Sequence, residues 1–522
     1  MVSGEPEIIK ENMSTANRVI KNTGWLYAKM AITMFVSLYT TRLILNGLGA
    51  SDFGLYNIVG GAIAMLGFLN AAMAGATQRF MNYTEGAGDP EKKKIIFNVS
   101  VAIHGILAVI VGIALAVTGI ILLNGVLNIP DGRHMASVIV YASMTVSTIL
   151  TITTVPYDAV LNSHENMKYY ALVGVVESLL KLTVAFVCVY STYDKLIVYG
   201  ILMACIPFLT LTVERIYCHT HYKECSISLK KNWDKKVVKE MTSFAGWNLF
   251  ATAAAMITNS GVGIIMNVFF GTLINAAQGV ANQICGQLNS VTTVLSKAVS
   301  PVITKSEGAA DRNRTIRLAE TSSKLLFFVM AIVAIPSLST LPTLMNLWLK
   351  EVPEFAVYFA SIQLLISMCE QLSSGFSTAI NASGHIKGIS ISKSIAKFSY
   401  LPLSYIMYTF GISINVAYLF LFLIQGAING ILITQYYGYK ILGYSPKRYL
   451  LKVFILSSVP AFVTFLFGYY LSSFFVGLYS LVVAVVICSL LNITMFYFVS
   501  LTKSERMIVN NMLQTIRIKL HI

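Results

Sequence analysis

From residue 22 to residue 500 the chain alternates long apolar runs with short polar turns. A membrane-crossing helix needs about 20 consecutive, mostly apolar residues. About fourteen windows meet that length, near 22–46, 56–81, 97–123, 136–161, 169–190, 195–214, 241–270, 272–301, 325–348, 355–380, 388–410, 412–436, 450–472 and 474–500. Leu326–Trp348, LFFVMAIVAIPSLSTLPTLMNLW, stays apolar for a whole crossing, with Pro336 and Pro342 expected to kink it. Neighbouring helices tolerate such kinks in a membrane.

The pattern contains a repeat. Glu85–Asp89 reads EGAGD and Glu307–Asp311 reads EGAAD, 222 residues later. At that offset Gly24–Trp25 falls on Gly246–Trp247, and Gly49 falls on Gly271. With a small gap, LNSHENMK (Leu161–Lys168) falls on INASGHIK (Ile380–Lys387) at offset 219. The repeated unit is six helices long. Each EGA(G/A)D turn is expected to join the second and third helices of a unit. Gly lets the chain leave one helix. Asp89 and Asp311 can cap the next, with Pro90 in its first turn. Six is even, so both units cross the membrane in the same sense. The expected organisation is an N-terminal segment (1–21), a first bundle (22–217), a basic linker (218–240), a second bundle (241–438), two added spans (450–500) and a tail (501–522). Transporters built from such halves bind substrate between them, near the midplane.

Composition agrees with an all-α polytopic membrane protein. The chain is 56% hydrophobic and 12% charged, with mean hydropathy +0.70, against about 25% charge in soluble domains. Its net charge of +15 could suggest nucleic acid. The distribution argues otherwise. With the N-terminus inside, only Arg133, Lys195 and Lys350 of the 38 Lys and Arg lie in loops on the opposite side. This is the positive-inside rule, and it predicts both termini in the cytoplasm. Residues 1–21 contain no apolar run of the kind found in a signal peptide. The seven cysteines show no framework spacing and read as small packing residues. CHTHYKEC (Cys218–Cys225) is too tightly spaced for a usual zinc site. No metal or other cofactor is expected. The loops are too short for a catalytic domain, so an enzyme is not expected either.

Polar residues inside spans fall on helical stripes. The fourth span carries Ser143, Ser147, Thr151, Thr154 and Asp158; the tenth carries Gln363, Ser367, Glu370, Ser374, Ser377 and Asn381. The eighth carries Gln278, Asn282, Cys285, Asn289, Thr292 and Ser296, flanked by Lys297. The eleventh carries Lys393, Lys397, Tyr400 and Ser404, and the first carries Lys29, Thr33 and Thr40. Such stripes can hydrogen-bond helix to helix or line a wet cavity. The cavity reading makes Lys29, Lys181, Lys297, Lys397, Arg42 and Arg79 a cationic lining, with Asn282, Asn289, Gln363 and Ser374 beside it. Glu177 precedes Lys181 by one helical turn and can neutralise it. Arg42 and Arg79 can instead snorkel to headgroups. Asp158 and Glu370 are candidates for ion coupling. A cationic lining suits an anionic, phosphate-bearing cargo. An inside-negative potential favours its outward movement.

SLYTTRLILNGLGASDFGLYNIVGG (Ser37–Gly61) and NAAMAGATQRFMNYTEGAGD (Asn70–Asp89) resemble the opening of bacterial polysaccharide-biosynthesis membrane proteins. These are the Wzx-type O-antigen flippases of the multidrug/oligosaccharidyl-lipid/polysaccharide (MOP) exporter superfamily. The resemblance is strongest over about residues 20–95. It implies two six-helix bundles plus two added helices in a bacterial inner membrane. It also implies a lipopolysaccharide or capsule pathway, with undecaprenyl-pyrophosphate-linked oligosaccharide carried to the outer leaflet. Membrane lipids and other glycan-assembly proteins are the further partners expected. The main alternative is a cation-coupled drug exporter of the MATE type, which would need a carboxylate inside the first bundle. Asp158 keeps that alternative open.

Overall fold

The computed structural model describes residues 5–510 apart from 65, 127, 128, 130, 131, 229, 271, 350, 351, 473, 475, 476, 504, 508 and 509. The described chain is helical, with no strand among the described residues. Six helices open it: α1 (Glu5–Ala64), α2 (Gly67–Ala87), α3 (Pro90–Ile121), α4 (His134–Ser163), α5 (Met167–Tyr190) and α6 (Lys195–His221). The next six are α7 (Lys235–Phe270), α8 (Thr272–Gly308), α9 (Arg312–Ser339), α10 (Leu341–Trp348), α11 (Ala356–Ser383) and α12 (Lys387–Thr409). Three more follow: α13 (Ile414–Leu442), α14 (Pro446–Ser472) and α15 (Leu478–Ser500).

These helices account for the expected spans, with two shifts of boundary. No loop separates the first two spans. α1 runs on to Ala64 and is broken only at Gly49 (φ 79, ψ 164), a conformation open essentially to glycine alone. The ninth span divides at Thr340 (φ −123, ψ 19). Pro336 stays inside α9, whereas Pro342 lies in the first turn of α10. Proline fits there because its missing N–H would have no intrahelical partner.

Nine helices among the described residues are long and apolar enough to cross a membrane. The other expected spans are carried by α1, α2, α8, α11 and α12, which are more polar. Four of these five, all but α2, hold polar stripes, and the remaining stripe lies on α4, one of the nine.

The chain forms two compact units, one of Asn22–Leu249 and one of Phe250 onward with the N-terminal segment. In the first, Leu55, Val59 and Ile63 of α1 pack with Val111 and Leu115 of α3 and Val140 and Tyr141 of α4. Ile44 packs with Val184, Ala185 and Cys188 of α5. In the second, Met266, Ala277 and Ala281 meet Phe359, Tyr400 and Tyr418. A separate cluster joins Phe327, Ala331 and Ile335 of α9 to Ala461 and Cys488. The two added helices thus cover α9. Its apolar window is 61% buried against 28% for α3, its repeat mate.

Candidate functional site

The sequence repeat reappears as repeated hydrogen bonds. Gly88 N–H bonds Glu85 O at 3.2 Å, and Ala310 N–H bonds Glu307 O at 3.0 Å. Asp89 N–H bonds Thr84 O, and Asp311 N–H bonds Ser306 O. Asp89 accepts from Lys92 N–H and Asp311 from Arg314 N–H, each at 2.9 Å. Both caps are those expected from the sequence. The correspondence extends to residues that fix the segment after each sixth helix. Asn98 donates to Ser226 O at 2.9 Å and accepts from Ser228 N–H at 2.7 Å. At offset 222, Glu320 accepts from Arg448 Nε and Tyr444 Oη, both at 2.7 Å.

The turn glutamates are ion-paired. Glu85 pairs with Lys93, and Glu307 pairs with Arg312 at 2.7 Å. Lys93 also pairs with Glu224 at 2.7 Å, and His164 Nε2 lies 2.6 Å from the same carboxylate. Burial alone would raise the Glu224 carboxyl, but the His164 and Lys93 contacts hold it down at about 2. CHTHYKEC is thereby clamped to α3 and α4. Its Cys225 thiol is pushed up by a hydrogen bond with Cys218 and by burial. Among the described residues no cluster of three or more metal-ligating side chains forms. On the opposite side, Arg133 bonds both Asp52 and Asp194. Burial would lower its guanidinium, but the two carboxylates hold it above its ordinary value.

Inside the first unit, Lys29 of α1 lies over the Tyr170 ring of α5, with Nζ 3.9 Å from the centroid. Gly174, one turn further on, leaves the space that Lys29 occupies; a Cβ there would strike it. Glu214 of α6 is 4% exposed, and its Oε2 has no hydrogen-bond partner. Its electrostatic neighbours include Asp158 of α4, Lys29 and Glu177 of α5. Lys181 pairs with Glu177 at 2.6 Å. Four helices thus gather Lys29, Lys181, Asp158, Glu177 and Glu214, and the carboxylates outnumber the lysines. Sequence reading did not count Glu214 because the apolar window ends there, whereas the helix continues to His221. Arg79 lies elsewhere, 4.6, 4.9 and 5.3 Å from the rings of Phe80, Tyr83 and Phe244. The side chain of Arg42 lies outside the described residues.

In the second unit the α8 and α11 stripes face each other. Gln363 Nε2 donates to Asn282 Oδ1, and Asn289 Nδ2 donates to Ser367 Oγ, both at 2.9 Å. Ser374 is half-buried on the same helix. Asn289 Oδ1 is buried without a partner. Lys393 of α12 has Glu370 and Lys397 as electrostatic neighbours. It is half-buried; its place on the stripe is legible in the sequence, but it was not among the candidate residues. Tyr400 is turned into packing, bonding Ala417 O at 3.0 Å. Lys297 is exposed on α8.

The fold is that of MOP-superfamily transporters. A MATE in the bent conformation superposes with a TM-score of 0.69 at 12% identity, covering 82% of this chain and 96% of that one. An outward-facing multidrug resistance MATE family transporter of the MOP superfamily gives 0.67 at 12%, with the same coverage. A MOP superfamily transporter from Pyrococcus furiosus, whose reversed pocket polarity suggests a different function, gives 0.67 at 13%, covering 83% and 97%. No curated protein matches the sequence. The chain itself belongs to the polysaccharide biosynthesis protein family, whose profile matches residues 19–307, more than half its length.

Proposed function

We propose that the protein is a flippase that carries an undecaprenyl-pyrophosphate-linked oligosaccharide from the cytoplasmic to the outer leaflet of a bacterial inner membrane, by alternating access. The family match carries this reading. Lys393 and Lys397 beside Glu370 support it, because two lysines to one carboxylate leave positive charge suited to pyrophosphate. Lys297 adds a second cationic position on α8. The carboxylates Asp158, Glu177 and Glu214 around Lys29 favour a second reading, a cation-coupled multidrug exporter of the MATE type.

Protein-dependent crossing of a lipid-pyrophosphate-linked oligosaccharide in liposomes tests the two. Removing a hydrogen bond to a charged group costs about 1.5–3 kcal/mol, or roughly ten- to hundred-fold. Lys297→Gln with Lys397→Gln is expected to slow crossing by about that factor. No crossing, with uptake of a cationic dye that Asp158→Asn abolishes, would establish the exporter instead.

A further inference from the structure

The outer face of α6 carries a cavity of about 510 Å³ that the transport reading does not use. Its lining includes Phe208, Leu211, Thr212, Arg215, Ile216 and His219. The inner and outer faces of α6 are sharply divided. Glu214 and Cys218 are buried, while the adjoining Arg215 and His219 are exposed. Phe208 and Ile216 are 57% and 60% exposed, and Leu209 and Val213 continue the apolar face. This is the character of a helix side that meets acyl chains. Arg215 forms no salt bridge among the described residues. Its electrostatic neighbours include Tyr157 of α4 and His219 of its own helix. His219 leans towards α4, its ring 5.9 Å from that of Tyr157.

The cavity has a polar end and an apolar end. Arg215 stands six residues before the end of α6 at His221, about 9 Å along the axis. Phe208 lies about 10 Å further into the membrane. A phosphate held at Arg215 would therefore sit at headgroup level, with its chain along Leu211 and Phe208. The guanidinium fork matches phosphate oxygens, and Thr212 and His219 add hydrogen-bonding groups. An uncompensated arginine on an apolar helix face is complementary to one occupant above others. We propose that this face binds an anionic phospholipid from the leaflet on the side of the basic linker. The site is distinct from the buried Glu214 side of α6.

Native mass spectrometry of the full chain, released from detergent with added phosphatidylglycerol, phosphatidylcholine or inorganic phosphate, tests the site. Phosphatidylglycerol is expected to bind about tenfold more tightly than phosphatidylcholine, whose choline cation opposes Arg215. Arg215→Ala is expected to remove about that tenfold preference, and Arg215→Lys to retain part of it. Thr212→Trp fills the cavity without altering its charge and should weaken phosphatidylglycerol as much. It provides the test if Arg215→Ala does not fold. Lys236→Ala, in the exposed linker, should change nothing. An equal loss with Lys236→Ala would overturn the site in favour of diffuse attraction. Inorganic phosphate competing as well as the lipid, or equal binding of both lipids, would overturn it too.

Discussion

At the scale of single residues, the two halves of the repeat solve the same turn with different side chains. Gly88 (φ 67) and Ala310 (φ 59) occupy equivalent left-handed positions, as do Glu165 (φ 55) and Gly384 (φ 82) at offset 219. Residues other than glycine incur about 1–2 kcal/mol in that conformation. Gly88→Ala is therefore expected to destabilise the protein by about 1 kcal/mol. Ala310→Gly is expected to stabilise it by a similar or smaller amount, because glycine loses more backbone entropy on folding. Thermal unfolding of both variants in detergent checks the signs. A shared sign would show that the two turns are not equivalent. The turn itself was legible in sequence, because capping residues act locally. The partners of Glu85 and Glu307 were not, since Lys93 and Arg312 contact them only once the next helix has turned back.

At the scale of elements, side chains far apart in sequence decide what each helix does. Glu224 fixes the linker through Lys93 and His164. Its carboxyl is depressed from its ordinary value to about 2, so the clamp contributes fully above a pH of about 4.5 and weakens as pH falls towards 2. Hydrogen exchange in residues 222–234 should rise as pH is lowered through that window, after correction for intrinsic rates. Glu224→Gln should give fast exchange at every pH; an unchanged pH profile in that variant would assign the effect to other carboxylates. In the second unit Gly468 faces Ser339 and Cys488, with no room for a Cβ. Gly468→Val should cost about 1–3 kcal/mol through overpacking and loosen α14 from α9. Limited proteolysis near α14 would report that release. The tail is held similarly, by Glu505 on Lys324 at 2.6 Å. Burial would raise the Glu505 carboxyl, but the lysine charge brings it below its ordinary value.

At the scale of the whole molecule, charge distribution predicts orientation. Cysteines introduced for Tyr193, which is 80% exposed, and for Lys503 should differ in labelling of intact cells. A membrane-impermeant maleimide should reach position 193 directly and position 503 only after permeabilisation. The reverse pattern would invert the topology. The stripes on α8, α11 and α12 were legible because helical spacing places such residues on one face. Their chemistry was less so. Asn282, Asn289, Gln363 and Ser367 bond across two helices, while Tyr400 enters the core. Helical spacing gives a direction from one axis, and only packing shows whether a partner, a cavity or another helix lies in that direction.

The sequence by itself determined the span pattern, the six-helix repeat, its caps and the asymmetry of positive charge. Each depends on hydrophobicity or on bonds between near neighbours, which a linear reading contains. Tertiary structure alone decided that α14 and α15 cover α9, and that Asn98 and Glu320 hold equivalent segments. It also decided that Lys29 rests on Tyr170 among Asp158, Glu177 and Glu214, and that Arg215 faces outward beside an inward Glu214. These outcomes depend on which helix faces meet, and the energies that select them arise only when the apolar surfaces of distant segments are buried together.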